Sequence, residues 1–210
     1  MKENKKYKLI LNDTINVEGR TLYRIKALKD FGDVKAGDLG GYIEKEDNLS
    51  HDGNAWVYDN ARVYGNAKVY DNAQVYGNAW VCGNAKVYGD AWVYDNARVY
   101  GNAQVYGNAW VSRNAWVFEN AKVYGDAIIC SNAYISSNDY AYIHGFGSEN
   151  RTTTFFRTKD GSIDVKCGCF SGTLDEFRNE VKETHGDNYY AKEYLAIADL
   201  MEMRFNREEK

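Results

Sequence analysis

The sequence has few of the residues on which several classes of protein depend. It has four cysteines, and none forms the C-x-x-C spacing of zinc or redox sites, although Cys167 and Cys169 flank one glycine. We therefore expect reduced thiols, no metal and no cofactor. There are three histidines and no proline. No apolar run approaches the ~20 residues that span a membrane, and no signal-peptide stretch is present, so we expect a soluble, cytoplasmic protein.

Neither basic nor acidic residues are in large excess. The net charge is −4, and residues 1–53, 54–143 and 144–210 carry ten, six and ten basic residues against ten, seven and thirteen acidic ones. Non-specific binding of nucleic acid depends on a basic patch that neutralises phosphates. The balance of charge in every segment argues against that function, and equally against an acidic surface that mimics DNA.

What the sequence does contain is a six-residue phrase, N-A-x-V-Y-[DG], repeated fifteen times from Asn54 to Ile143. The later copies are looser, and the last fades over Asn138–Ile143. In A-x-V-Y the alternation has period two, so Ala and Val share one face while x and Tyr share the other. Asp or Gly followed by Asn favours a corner with left-handed backbone angles. A fixed short repeat of this kind predicts a solenoid.

An aliphatic residue followed four positions later by a small one is the pattern of the left-handed hexapeptide-repeat β-helix. The stretch from Asn54 to Ile143 resembles that family, and the resemblance implies that three hexads close one triangular coil. Fifteen hexads then form about five coils, stacked at the ordinary strand spacing of about 4.8 Å. We therefore predict a mainly β protein built on a left-handed parallel β-helix.

The segments on either side of the repeat are predicted to cap the solenoid, because its ends would otherwise expose unpaired strand edges. Residues 1–47 are predicted to form an N-terminal β cap, and residues 48–147 the solenoid. Residues 148–210 are predicted to form a β-hairpin and two helices. The second helix, from about Asn188 to Asn206, has an apolar side that would lie along the solenoid or join a neighbouring subunit.

The C-terminal segment carries a second resemblance. Residues Cys167 to Phe177 and the second helix, with the repeat upstream, resemble uncharacterised hexapeptide-repeat proteins of bacteriophages and prophages. That resemblance implies a phage origin and a location in the host cytoplasm, and it supplies no biochemical activity. A phage protein that inhibits a bacterial defence system, by binding a host protein or a nucleotide signal, would fit this origin.

Taking every third hexad sorts the outward x residues onto three faces. The tryptophan face carries Trp56, Gln74, Trp92, Trp110 and Ile128. The arginine–tryptophan face carries Arg62, Trp80, Arg98, Trp116 and Tyr134. The lysine face carries Lys68, Lys86, Gln104, Lys122 and Tyr140.

A row of outward indoles normally marks a surface that something covers. The chain's own termini, a second copy of the chain, or a ligand or host protein could provide that cover. Guanidinium groups bind phosphates and indoles stack on bases, so the second face suits a nucleotide. Trp and Arg also dominate protein–protein hot spots. We expect a homo-oligomer, with a trimer favoured over a dimer. The candidate binding residues are Trp56, Trp92, Trp110, Trp80, Trp116, Arg62 and Arg98.

An acyltransferase-like enzyme is the alternative function. The best-known proteins of the fold that the repeat resembles are acyltransferases with a histidine base and carbonic anhydrases with a three-histidine metal site. His51, His144 and His185 lie before, at the end of and beyond the repeat, so they cannot converge on one metal within a subunit. His144 is the candidate base. Because no loop interrupts the hexads to form an acceptor pocket, we expect a non-catalytic binding protein without catalytic or metal residues.

Overall fold

The computed structural model describes residues 5–137 and 139–206. It is a mainly β parallel solenoid of about five turns, followed by an antiparallel sheet and two helices, which confirms the predicted solenoid. Residues 1–4, Asn138 and 207–210, which belong to the predicted cap, the last hexad and the C-terminal segment, lie outside the described residues. Within the described ranges, no helix combines the length and apolarity needed to cross a lipid bilayer.

The N-terminal segment is an antiparallel hairpin that continues directly into the solenoid. Strands β1 (Tyr7–Val17) and β2 (Arg20–Ala27) pair antiparallel, and β3 (Leu39–Ile43) pairs antiparallel with β2. On its other edge β3 pairs parallel with the repeat strand that contains Arg62. The cap therefore supplies the first rung of one solenoid sheet, so that the edge of the Arg62 strand at this end is paired.

A close backbone approach and a short helical turn lead the chain from the cap into the first coil. A Cβ atom on Gly40 would lie 2.5 Å from the carbonyl oxygen of Val57, so this position admits only glycine. The 3-10 helix Glu46–Asn48 follows, and Leu49 then forms a parallel bridge with Val69. Gly40 and this helical turn thus connect the cap to the solenoid.

Each hexad forms a two-residue strand and a corner. Ala97 and Val99 are typical, because the Ala before the strand and the Val within it are both fully buried. The first corner residue has a positive φ, 58° at Asp95 and 70° at Gly101, which only Gly and a few short polar residues adopt readily. The strands are β4 (Trp56–Val57), β5 (Arg62–Val63), β6 (Lys68–Val69), β7 (Gln74–Val75), β8 (Trp80–Val81), β9 (Lys86–Val87), β10 (Trp92–Val93), β11 (Arg98–Val99), β12 (Gln104–Val105), β13 (Trp110–Val111), β14 (Trp116–Val117), β15 (Lys122–Val123), β16 (Ile128–Ile129) and β17 (Tyr134–Ile135).

The register places three hexads in each coil, as the repeat predicts. Val93 pairs with Val75 on one side and with Val111 on the other, and each neighbour is 18 residues away in the chain. The three parallel stacks are β4-β7-β10-β13-β16, then β5-β8-β11-β14-β17, which β3 extends, and β6-β9-β12-β15. Corner amides stack in the same register, for example Asn84 Nδ2 donating to Asn102 Oδ1 over 3.0 Å. Identical side chains therefore form columns along the solenoid.

The fifteenth predicted hexad does not form a parallel rung, which corrects the predicted count. Asp139 occupies the position at which the other hexads bury Ala, and a carboxylate is too costly to bury in a narrow apolar interior. Its Oδ2 instead accepts hydrogen bonds from the Ser136 backbone N–H at 3.0 Å and the Ser136 hydroxyl at 2.7 Å. The chain turns there, and Tyr140 begins an antiparallel strand. Fourteen hexads, not fifteen, form the solenoid strands of the described residues.

A four-stranded antiparallel sheet closes the C-terminal end. Its strands β18 (Tyr140–Phe146), β19 (Arg151–Arg157), β20 (Ile163–Cys167) and β21 (Phe170–Thr173) pair in chain order. The predicted hairpin corresponds to β19 and β20. The prediction of an isolated hairpin was incomplete, because the tail of the repeat adds β18 on one side and the segment before the first helix adds β21 on the other.

Two helices cover this sheet. Helix α1 (Leu174–His185) begins at a capping box, in which the Thr173 hydroxyl accepts from the Glu176 N–H over 3.2 Å. Helix α2 (Tyr189–Phe205) begins at Asn188. The buried side of α2 packs with α1 and the antiparallel sheet, so neither of its two predicted placements, along the solenoid or on a neighbouring subunit, describes that side. Its buried residues are Ala191, Tyr194, Ala198, Met201 and Phe205.

Candidate functional site

The predicted faces exist as columns of side chains. On the tryptophan face, Trp56, Gln74, Trp92, Trp110 and Ile128 pair in consecutive register. On the arginine–tryptophan face, Arg62, Trp80, Arg98, Trp116 and Tyr134 do the same. On the lysine face, Lys68, Lys86, Gln104 and Lys122 are in register, whereas Tyr140 has left the solenoid and reaches back, donating its hydroxyl to the Lys122 carbonyl oxygen at 2.8 Å.

Trp56 is not available to a partner, which corrects its place among the candidate binding residues. Its side chain is 1% exposed and makes edge-to-face contacts with Tyr7 and Phe31, at ring-centroid distances of 6.0 and 5.3 Å. Lys6, also buried, donates its ammonium group to the Ala55 carbonyl oxygen at 2.8 Å. The chain's own N-terminal segment therefore covers this indole.

Trp92 and Trp110 remain at the surface and stack on each other. Their ring centroids are 5.3 Å apart and their planes differ by 6°. Tyr76 and Tyr94 form near-perpendicular contacts with the two indoles, with interplanar angles of 77° in both cases. Stacking hides part of each ring, yet the side chains keep 38% and 39% of their area exposed. These two indoles form the largest aromatic patch on the tryptophan face.

On the arginine–tryptophan face, guanidinium groups and indoles alternate. The Arg62 Cζ atom lies 5.1 Å from the Trp80 ring centroid, and Arg98 Cζ lies 4.8 Å from Trp80 and 5.0 Å from Trp116. These distances are within cation–π range. The N-terminal hairpin borders the face, since Ile15 packs into the apolar cluster that contains Trp80.

This stacking changes the chemistry that the face can perform. Because Arg62 and Arg98 lie over Trp80, its indole is already engaged within the chain. Stacking of a nucleobase on this face stays a prediction. The guanidinium groups themselves are unpaired, because neither forms an ion pair or side-chain hydrogen bond within residues 5–137 and 139–206. The Nε of Arg62 is buried without an acceptor. The face therefore presents charged donors in a fixed plane, which suits phosphate or carboxylate groups.

A groove of about 720 Å³ lies where this face meets the C-terminal sheet. Trp116 and Tyr134 line its solenoid side, and Lys159 and Asp164 line the other. The Lys159 ammonium lies 5.5 Å from the Trp116 ring centroid and adds a third cation to the row. Burial raises the pKa of Asp164, and the charges of Asp160 and Glu176 raise it further. Sequence reasoning missed Lys159 and Asp164, because no repeat signal places this hairpin beside the solenoid.

The three histidines lie in separate environments. His51 stacks on Tyr7 with centroids 4.3 Å apart, and its Nδ1 accepts from the Lys6 N–H over 3.2 Å. His144 lies on β18, where its Nδ1 is 2.9 Å from the Thr152 hydroxyl. His185 ends α1 and stacks on Tyr194 at 5.7 Å. His51 is held in the N-terminal cap, and the other two belong to the C-terminal sheet and helices.

Comparison with known proteins agrees with the repeat architecture. A sequence profile for the YdcK beta solenoid repeat matches residues 55–71, 67–83, 91–105 and 103–119. The uncharacterised acetyltransferase YdcK of Escherichia coli strain K12 is 50% identical over 38 residues, which cover 18% of this chain and 12% of that protein. The match thus spans a small part of that relative. Together with the observed solenoid, these findings support a hexapeptide-repeat β-helix protein.

Proposed function

We propose that the protein is a non-catalytic binding module whose arginine–tryptophan face recognises an anionic partner. The observation that carries this proposal is the placement of Arg62 and Arg98, which are stacked on indoles and have no acidic partner within the described ranges. A long cationic side chain normally loses rotamer freedom when it binds. Stacking reduces that loss, because the guanidinium planes are already ordered before a partner arrives.

The spacing of the cations favours an extended anionic partner over a single ion. Arg62 and Arg98 lie two rungs apart on one column, which at about 4.8 Å per rung is roughly 10 Å. Lys159 continues the row beyond Trp116. A nucleotide with several phosphates, or an acidic segment of a protein, can reach two of these cations at once. A role as a phage inhibitor of a bacterial defence system, through a host protein or a nucleotide signal, is the finer form of this proposal and rests on the second resemblance.

We predict that Arg98→Gln weakens binding to an anionic probe by roughly tenfold or more, because a charge-assisted hydrogen bond contributes about 1.5–3 kcal/mol. Isothermal titration calorimetry with ATP and with a glutamate-rich peptide, at low salt, measures the change and separates the phosphate source from the carboxylate source. Lys86→Gln is the matched control, since it also removes one positive charge from a solenoid face.

Equal losses in the two variants would mean that binding depends on net charge, and the assigned face would be wrong. If neither probe binds wild type, affinity capture from a bacterial lysate with wild type and Arg98→Gln in parallel provides the second test. A partner retained equally by both proteins would contradict the role of Arg98.

An acetyltransferase is the second candidate function, because the matched relative carries that name. Fourteen hexads run from Asn54 to Ser137 without an inserted loop, so the solenoid itself forms no acceptor pocket around a base. His144 has a hydroxyl neighbour in Thr152, and among the described residues no carboxylate forms a hydrogen bond with its ring. A general base is normally oriented by such a partner. The geometry therefore favours binding over catalysis.

We predict that acetyl-coenzyme A is not consumed in the presence of a panel of amine and alcohol acceptors. Release of free thiol, followed with a chromogenic disulfide reagent and corrected for the protein's own cysteines, measures turnover directly. Turnover by wild type that disappears in His144→Ala but persists in His185→Ala would establish the enzyme and overturn the non-catalytic proposal.

We also propose that the protein self-associates, through a smaller surface that no longer includes Trp56. With Trp56 covered by the N-terminal cap, Trp92 and Trp110 are the remaining indoles of the tryptophan face that a second copy could bury. The outer side of α2 also leaves Leu200 and Met203 exposed and is the accessory surface. Multi-angle light scattering on the purified protein distinguishes the favoured trimer from a dimer or a monomer.

A further inference from the structure

A cleft of about 340 Å³ opens beside Trp92, at the junction of the tryptophan face with the N-terminal cap. It is separate from the groove at Trp116, and it shares only Trp92 with the surface proposed for self-association. Two kinds of side chain dominate its wall, aromatic rings and carboxylates. The residues that matter for its chemistry are Asp33, Tyr58, Asp59, Tyr76, Asp90 and Trp92.

The aromatic walls of the cleft are not parallel. Along the solenoid, neighbouring tyrosines stack with nearly parallel planes, as Tyr76 and Tyr94 do at 5.0 Å and 5°. Tyr58 breaks this pattern, because its plane is 87° from that of Tyr76. The plane of Trp92 is 77° from that of Tyr76 on the other side. Rings that meet at right angles around a cavity can contact a small cation from more than one direction, which a flat stack cannot do.

The charge of the cleft is negative. Asp33, Asp59 and Asp90 line it, all three are exposed, and none forms an ion pair within the part of the chain that the structure describes. Asp90 Oδ1 accepts from the Asn72 amide and Asp59 Oδ2 accepts from the Gly77 N–H. Each of these two carboxylates keeps a second oxygen for a ligand.

The carboxylates around the cleft also affect the ionisation of Tyr58. Burial raises the pKa of Tyr58, and the charges of Asp33, Asp38 and Asp59 raise it further. In the cap, Arg24 pairs with Asp13 through Nε at 2.9 Å and donates to the Asp59 backbone carbonyl. Its charge is therefore shared with Asp13. The field around the cleft repels anions and attracts cations.

We propose that this cleft is a binding site for an organic ammonium cation, held by the π faces of the rings of Tyr58, Tyr76 and Trp92 and by the carboxylates of Asp33, Asp59 and Asp90. An alkylated ammonium group fits both features, because its methyl groups pack on rings while its charge is attracted to ring quadrupoles and carboxylates. A metal ion is a poor match, because no three carboxylate, His or Cys side chains in the described part of the chain are placed to hold one. A phosphate-bearing ligand would be repelled.

The same ammonium chemistry can come from a small molecule or from a methylated lysine in a protein. Calorimetric titration with choline represents the first source, and a short peptide carrying trimethyllysine represents the second. The neutral analogue 3,3-dimethylbutan-1-ol has the shape of choline without its charge. We expect choline or the peptide to bind, and the neutral analogue to bind roughly tenfold more weakly or not at all.

The variants that test the assignment come in matched pairs. Trp92→Ala should weaken binding of the cation roughly tenfold, whereas Tyr189→Ala, which removes an exposed ring on α2 outside the cleft, should leave it unchanged. Asp33→Asn combined with Asp90→Asn should also weaken binding, whereas Asp126→Asn, which lies outside the cleft and accepts the equivalent hydrogen bond from Asn108, should not. Tyr76→Phe keeps the ring and should retain binding. Thermal melts and light scattering on every variant separate lost binding from lost folding or changed association.

Three results would overturn the proposal. The first is absence of binding by both choline and the trimethyllysine peptide to folded wild type. The second is equal affinity for the neutral analogue, which would make the cleft a simple apolar pocket. The third is an equal loss in Trp92→Ala and Tyr189→Ala. A preference for the peptide over choline would assign the source as a protein side chain, and the reverse preference a free small molecule.

Discussion

Val105→Asp is expected to prevent the solenoid from folding at ordinary temperatures. Val105 is fully buried and pairs with Val87 and Val123, so its side chain lies in the middle of the interior column. The interior is formed by Ala and aliphatic side chains and has no room for water around a charge. Leaving an unpaired carboxylate there should lower the free energy of unfolding by about 4 kcal/mol or more.

The neighbouring residue provides a control for this experiment. Gln104 lies on the same strand and points outward, and Gln104→Asp changes the net charge by the same amount. It loses one hydrogen bond, the Tyr88 hydroxyl donating to Gln104 Oε1 at 3.2 Å, and should cost no more than about 1 kcal/mol. Thermal melts followed by circular dichroism compare the two. Similar melting temperatures for Val105→Asp and wild type would show that the hexad does not bury its Val.

Raising the pH above 10 is expected to unfold the protein cooperatively. Nine tyrosines in the described part of the chain have a raised pKa, and burial is the largest cause in each case. The pKa of Tyr76 rises to about 12. The others with a raised pKa are Tyr7, Tyr58, Tyr64, Tyr70, Tyr88, Tyr100, Tyr140 and Tyr194.

The direction of the effect follows from proton linkage. An unfolded tyrosine titrates near pH 10, so above that pH the folded chain holds protons that the unfolded chain has released. The stabilisation from these groups is complete below pH 10 and is lost as pH rises through their folded pKa values. Each proton held in this way makes stability fall by about 1.4 kcal/mol per pH unit. Several tyrosines acting together make the fall steep.

Lys6 acts in the opposite direction over a lower range. Burial lowers its pKa from 10.5 to about 8, with Lys29 adding to the effect. Between those values the unfolded chain binds more protons, so stability should rise with pH before the tyrosines reverse it. Urea titrations from pH 7 to 12, with tyrosinate absorbance recorded in parallel, measure both limbs. Lys6→Met should remove the rise and keep the fall, whereas tyrosinate absorbance that reaches its full amplitude before the protein unfolds would contradict the prediction.

The repeat could be predicted from the sequence because the residues that determine the conformation of each hexad lie within that hexad. Ala97 and Val99 point inward and Asp95 forms a corner for reasons that lie within six residues. The columns then follow from counting, and the observed register agrees with the predicted faces. Even the failure of the fifteenth copy has a local cause, since Asp139 stands where Ala is required. Local physics and repetition together were sufficient for this part of the fold.

The candidate sites were less predictable because they form where the repeat meets segments that do not repeat. Trp56 is equivalent to Trp92 in the sequence pattern, yet Tyr7 and Phe31 cover the first and leave the second exposed. Lys159 approaches Trp116 from a hairpin turn whose position depends on tertiary packing. The periodic pattern predicts which residues point outward, and it contains no information about which of them the ends of the chain will cover.

Equivalent residues of neighbouring coils are 18 positions apart, and this spacing determines which changes in repeat number preserve the three faces. An in-frame duplication of one full coil inserts one more rung into each of the three columns and returns every downstream side chain to its original face. Duplication of a single hexad between Trp80 and Arg98 instead rotates everything downstream by one face, so that Arg98 would join the lysine face and the cation–π row would be broken. The unit that recombination between near-identical repeats can add or remove without changing the faces is therefore one whole coil. Descendants of this chain can acquire longer or shorter arginine–tryptophan rows by gaining or losing whole coils, without any new residue having to evolve.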